Sequence, residues 1–218
     1  MSKSKNKPKH QIRVVPKTDK QYLTTDMARR LPIAECWINP DWRQRGLVTI
    51  VLARQHKNGC FTFASFLVDI FCLGLKQTMV AINESPTEYY STREHLFTTQ
   101  QRVPVDYVVA HNIIYGGIAY AEELGFKPEK DWVLTQYVLE PDDDAVDLID
   151  IEFGRNGRPF YIAGPYDKPA EVRQKLEKAV GADGFEFVAY IREDDPLSYL
   201  DAGWGDDDED KEEAEDEE

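Results

Sequence analysis

The chain of 218 residues carries a formal net charge of −14, with 42% hydrophobic, 11% aromatic and 30% charged residues. That composition supports a buried core and excludes wholesale disorder or a collagen-like fibre. No apolar stretch reaches the about 18 residues that a membrane helix requires, and no apolar run follows the N-terminal lysines as it would in a secretory signal.

Charge is unevenly spread. Residues 1–20 sum to +6, residues 206–218 to −10, and the body between them to −10. An acidic body argues against a large phosphate-tracking surface. The expected organisation is a basic disordered arm over 1–20, a single domain over 21–200 and an acidic disordered tail over 201–218. Cys36, Cys60 and Cys72 are odd in number and lie in apolar contexts. They read as reduced thiols of a cytoplasmic protein rather than as a disulfide framework.

The body opens with an apolar segment over 31–38, closed by the turn residues Asn39-Pro40-Asp41. Apolar runs over 47–54 and from Cys60 onward flank a five-residue connection ending in Asn58-Gly59, a hairpin signal. Both runs are apolar on both faces, which places them at the centre of a covered sheet. Ser85-Pro86-Thr87-Glu88 has the cap, the proline and the acid of a helix start, and that helix is expected to reach about Thr98. A second helix is expected over 106–124, stopped by Gly125.

Residues 131–140 read as a further helix, broken at Pro141. Segments 149–153 and 160–163 flank Gly154-Arg155-Asn156-Gly157-Arg158 and predict a second hairpin. An amphipathic helix over 169–180 and a strand over 185–191 complete the body. Strands and helices are segregated, so the expected fold is α+β: an antiparallel sheet built from two Asn-Gly hairpins, packed with three to four helices.

Two places invite chemistry. On the 106–124 helix, at about 100° per residue, Tyr115 lies about 40° and Glu122 about 20° from His111. These three form a narrow polar stripe. Gly116 and Gly117 follow Tyr115 at a cost of roughly 1 kcal/mol each relative to alanine, so a close approach of backbone or ligand is expected there. His111 with Glu122 suits a general base or metal ligand, while a core histidine and tyrosine hydrogen-bonded in place is the commoner arrangement.

Asp69 is the second. In an apolar strand its carboxylate must be paired, metal-bound or protonated. It is either a cation-holding acid or the partner of Lys76, and the ion pair is the commoner outcome. Cys72 would act as a nucleophile only with His111 beside it, and its apolar setting argues for an inert thiol. Arg155 and Arg158, with Arg54 and Lys57 on the first hairpin, are candidates for a small anion site. No nucleotide-loop, zinc-protease or nucleophile-elbow pattern is present.

The segments Phe66-Leu67-Val68-Asp69, Cys72-Leu73-Gly74-Leu75-Lys76, Tyr115-Gly116-Gly117, Tyr120-Ala121-Glu122, Gly125-Phe126-Lys127-Pro128 and 153–165 together resemble an uncharacterised bacterial protein family, over roughly 31–187. Members often carry an acid where this chain has Gln77 and a histidine where it has Glu129. The resemblance implies one family domain and no stated activity, and those two departures argue against a metal site built there.

Three functions are weighed. The favoured one is a non-enzymatic binding or adaptor protein with a protein partner, in which Tyr89, Tyr90, Trp37, Trp42, Arg43 and Arg45 are contact candidates. The second is a hydrolase, metal-assisted or not, using Asp69, His111 and Glu122, which requires the three to converge. The third is an RNA- or ribosome-associated factor that uses the basic start and the two basic hairpin tips, with the acidic tail competing for them. The sequence names no cofactor, metal or oligomeric state, and no membrane attachment is expected.

Overall fold

A computed structural model describes residues 18–189. The basic arm up to residue 17 and the acidic tail expected over 201–218 lie outside them. Thr18, placed in the arm by the sequence reading, caps the first helix, α1 (Asp19–Thr24), by accepting from Gln21 N.

Three long strands dominate: β2 (Leu47–Gln55), β3 (Phe61–Asp69) and β4 (Gly74–Glu84). They form an antiparallel meander, and β1 (Ile33–Ile38) with the two-residue β5 (Val103–Pro104) extends it to the order β4-β3-β2-β1-β5. The first hairpin is the one expected, its loop closed by His56 N donating to Cys60 O at 2.8 Å. The short helix α2 (Trp42–Arg45) bridges β1 and β2.

Side-chain alternation sorts β2 and β3 onto two faces. Ile50, Leu52, Ala64, Phe66 and Val68 face the main core, against Ile113, Ile114 and Ile118 of α4 (Tyr107–Glu123). Val51, Ala53, Phe61 and Phe63 face the other way, against Tyr89 of α3 (Pro86–Leu96) and Phe97. Ser85 and Glu88 form the reciprocal capping box that starts α3. That helix ends at Leu96, two residues before Thr98.

Gly117 explains itself by packing. A Cβ there would sit 2.7 Å from Val68 Cγ1, and one at Gly116 would sit 2.5 Å from the Phe153 ring. The expected close approach is therefore made by the protein's own side chains, which lets α4 lie low on β3.

Two expectations are corrected. The 131–140 helix is only one turn of α-helix, α5 (Trp132–Thr135), followed by a 3-10 turn (Gln136–Val138). Leu139 is already extended, and the residue before Pro141 disfavours helical backbone. The second hairpin does not form. Its Asn156-Gly157 turn is present, with φ of 53° and 74° and a lone Arg155–Arg158 bridge. Its arms, however, bond elsewhere: Gly154 N donates to Ile70 O at 2.9 Å and Phe160 N to Phe71 O at 3.1 Å. With its donors taken by that loop, β6 (Phe160–Ile162) pairs in parallel with β7 (Glu186–Val188), and α6 (Pro169–Val180) connects the two. Val172 and Leu176, one turn apart on α6, pack with Tyr161 against Cys72, Ala121 and Leu124. The architecture is α+β. No helix among the described residues is long and apolar enough to cross a membrane.

Candidate functional site

The residues proposed for hydrolysis are not brought together. His111 is only 3% exposed, and its Nε2 donates to Glu140 O, which also accepts from Tyr115 Oη, both at 3.2 Å. The donor role fixes the proton on Nε2. Tyr107 Oη accepts from Glu140 N at 2.7 Å, and Asn112 bonds Asp147 O and Ile149 N. The segment over 138–149 is thus fastened across the first half of α4. Glu122, eleven residues beyond His111 and so about 16 Å along the axis, lies past that cover and is exposed. Burial pushes the Tyr115 phenol up to about 12, so it serves as a neutral donor. The stripe is a core-lining feature at one end and a solvated one at the other.

The arginines of the proposed anion site are also engaged singly. Arg54 is 2% exposed: its Nε donates to Val138 O, its Nη1 to Arg29 O and Leu31 O, and its Nη2 to Glu140 Oε1. Arg155 pairs with Glu186 and stacks over Phe160, and Arg158 donates to Asp183 O. Of the expected contact aromatics, Trp42 and Tyr89 are buried, Arg43 stacks on Trp42 at 4.0 Å, and Arg93 and Arg102 flank Trp37. Cys72 is buried, and burial together with the Asp69 charge pushes its thiol up, which leaves it protonated and unreactive. Among the described residues no three His, Cys, Asp or Glu side chains are grouped to hold a metal.

An open face of the sheet does form a site. α3 and Phe97 cover only the part of that face near the first hairpin. Further along, the registers Thr49–Leu67–Gln77, Ser65–Met79 and Leu47–Asp69 put these side chains side by side. They floor two adjoining cavities of about 360 and 660 Å³, which share Arg45, Leu47, Leu67 and Gln77. The smaller ends at Leu96, Thr99 and Gln100, where Gln100 Nε2 donates to Thr49 Oγ1 at 2.7 Å. The larger is walled by Phe71, Phe160 and the turn over 162–167. Leu47 is 42% and Ile162 52% exposed along this trough.

Its far end is polar. Asp69 Oδ1 accepts from Phe71 N at 2.9 Å and Cys72 N at 3.0 Å, which shapes the turn after β3. Burial raises the Asp69 carboxyl above the ordinary aspartate value, against the pull of those amides and of Lys76. Lys76 does not pair with Asp69 as expected. Its Nζ lies 2.9 Å from Asp167 Oδ2, the oxygen that also accepts from Gly164 N. The 164–167 turn is thereby fixed against β4, and Asp69 makes no ion pair among the described residues. Behind this end, Tyr120 Oη is buried and has no hydrogen-bond partner among the described residues.

Asp69 was legible as an unusual residue and Arg45 as a contact candidate, but the trough was not. Its signal is a weak alternation of polar and apolar residues, Thr49, Ser65 and Gln77 beside Leu47, Leu67 and Met79. Asp167 closes the turn signal Gly164-Pro165-Tyr166-Asp167, which does not point to Lys76.

Comparison with protein-family models, with curated proteins and with solved structures finds no match.

Proposed function

We propose that the protein is a non-enzymatic binding protein that holds an extended segment of a protein partner in the trough over β2, β3 and β4. One observation carries this reading. α3 and Phe97 leave this part of the sheet face open, and exposed Leu47 and Ile162 border cavities of about 360 and 660 Å³ there. Large concave apolar surfaces with a few fixed polar groups are the usual form of a binding site.

A second feature favours an extended occupant. The two adjoining cavities share Arg45, Leu47, Leu67 and Gln77, so the trough has the length for several residues of extended chain. Alternate side chains of such a chain would enter the successive pockets. Catalysis has less support: His111 Nε2 is a donor to backbone and Cys72 is an inert thiol. The free thiols of Cys36, Cys60 and Cys72 suit a reducing, cytoplasmic setting.

The test is selection of a random twelve-residue peptide library on the full chain, followed by affinity measurement on Leu47→Glu/Ile162→Glu. Both positions are exposed, so the double variant keeps its core. Selected peptides should lose about tenfold or more in affinity. Peptides that bind the variant as well as the wild type, or a selection that enriches nothing, would overturn the reading.

A further inference from the structure

We infer that Asp69 receives a cationic side chain of the docked segment, a lysine ammonium or an arginine guanidinium, at the polar end of the trough. The inference rests on the reading of the trough as a docking site and adds the chemistry of the occupant.

The first argument is charge balance. Four of the charged groups at this end are paired: Arg45 with Asp41 at 3.3 Å and Lys76 with Asp167 at 2.9 Å. Arg155, behind Phe160, is paired with Glu186. Asp69 lines the cavity and has no cationic partner in contact among the described residues. The end of the trough therefore holds one carboxylate in excess. A cation completes that balance, whereas an anion would have to displace Asp167 from Lys76.

The second argument is the wall. Phe71, Phe160 and Tyr166 all line the same cavity. Aromatic rings beside a carboxylate form an environment that attracts ammonium and guanidinium groups through the ring quadrupole, and the apolar floor suits the methylene stem of either side chain. Phe160 already accommodates one such group, with Arg155 stacked 3.4 Å from its ring centroid.

The third argument is that Asp69 is held in place before any ligand arrives. Its Oδ1 is fixed by two backbone amides, so the carboxylate cannot swing away into solvent. Little ordering remains to be done when a donor arrives.

The experiment is a proton–nitrogen NMR titration of the full chain, wild type and Asp69→Asn, with three probes of matched shape: 4-phenylbutylamine, 4-phenylbutan-1-ol and 4-phenylbutyrate. Asparagine keeps an oxygen for the Phe71 and Cys72 amides, and the spectrum itself reports whether the variant is folded. The amine should shift the amides of 69–72 and 164–167 and bind about tenfold tighter than the alcohol. In Asp69→Asn its affinity should fall to that of the alcohol.

Equal binding of amine and alcohol to the wild type, a preference for the carboxylate, or an amine preference that survives in Asp69→Asn would overturn the charge assignment. In those cases shifts at Leu47, Leu67 and Ile162 would still uphold the trough. If none of the three probes moved those residues, the docking reading would fail with it. Should Asp69→Asn not fold, the three-probe comparison on the wild type decides alone.

Discussion

Lys76 Nζ and Asp167 Oδ2 meet at 2.9 Å across 91 positions of sequence, and that single contact fastens the turn that walls the trough to the strand that floors it. Their side chains are 24% and 14% exposed, so the pair is shielded from much of the solvent screening that weakens surface ion pairs.

Replacing Lys76 with methionine strands two carboxylates, Asp69 and Asp167, at one end of a partly closed cavity. The expected cost is about 2 kcal/mol of folding stability, short of the 3–5 kcal/mol typical of fully buried pairs. Urea unfolding of Lys76→Met, Asp167→Asn and the double variant measures it. The double variant should recover part of the loss, because it removes the stranded charge along with its partner.

Asp69 should carry a stability cost at neutral pH. Burial raises its folded-state pKa above the ordinary value of 3.8. A group raised in this way contributes stability that is fully present below the unfolded value and is lost as pH climbs through the folded one. Asp69→Asn is therefore expected to melt at or above the wild-type temperature near neutral pH, with the difference closing below pH 4. Thermal melts across pH 3.5 to 7.5 read the trend directly.

Glu35 works in the opposite sense. Burial alone would raise its carboxyl, but donors from Trp37, Tyr89 and Arg93 outweigh it and hold the group below its ordinary value of 4.5. Its contribution is present above the unfolded value and fades as pH falls through the lower folded one. Glu35→Gln should flatten the acid limb of the stability profile below pH 4.5, and it should lower stability at neutral pH by about 1–2 kcal/mol, as loss of charge-assisted bonds does.

Arg54 is the cation on which the α4 side depends. Its guanidinium donates to Val138 O, Arg29 O, Leu31 O and Glu140 Oε1, which joins β2 to two other segments, 29–31 and 138–140. Arg54→Met should cost about 3–5 kcal/mol, since it strands a carboxylate and several carbonyls. Lysine at the same position keeps the charge but not the planar fork and should recover less than half. Denaturant midpoints of the two variants test this ordering.

Gly117→Ala sets helix propensity against packing. Alanine favours the helix by about 1 kcal/mol, yet its Cβ would meet Val68 Cγ1 at 2.7 Å in a core with no slack. Overpacking should win, with a net loss of about 1–2 kcal/mol measurable by denaturant unfolding.

How much of this could be read from the chain depends on the range of the interaction. The β2–β3 hairpin, the Ser85 cap and the extent of α4 follow from local chemistry: a turn dipeptide, a proline beside an acid, a glycine stop. The second hairpin fails because its local signal competes with carbonyls at Ile70 and Phe71, about ninety residues upstream. His111, Tyr115 and Glu122 share a stripe in projection, but a stripe does not reveal where a covering segment ends. Asp69 was visible because a carboxylate in an apolar strand is unusual wherever it folds. Its setting was not, because the ion pair expected with Lys76 is made with Asp167 instead, from the Gly164-Pro165 turn, whose local signal does not reveal which strand it packs against.

Whether a partner segment lies along the open face of β2, β3 and β4 can be read from intermolecular nuclear Overhauser effects between a selected peptide and the isotope-labelled full chain. Contacts are expected from peptide protons to the methyl groups of Leu47, Leu67, Met79 and Ile162, with a lysine or arginine side chain of the peptide nearest Asp69. Contacts confined to another surface, with the methyl groups of those four residues silent, would contradict that placement.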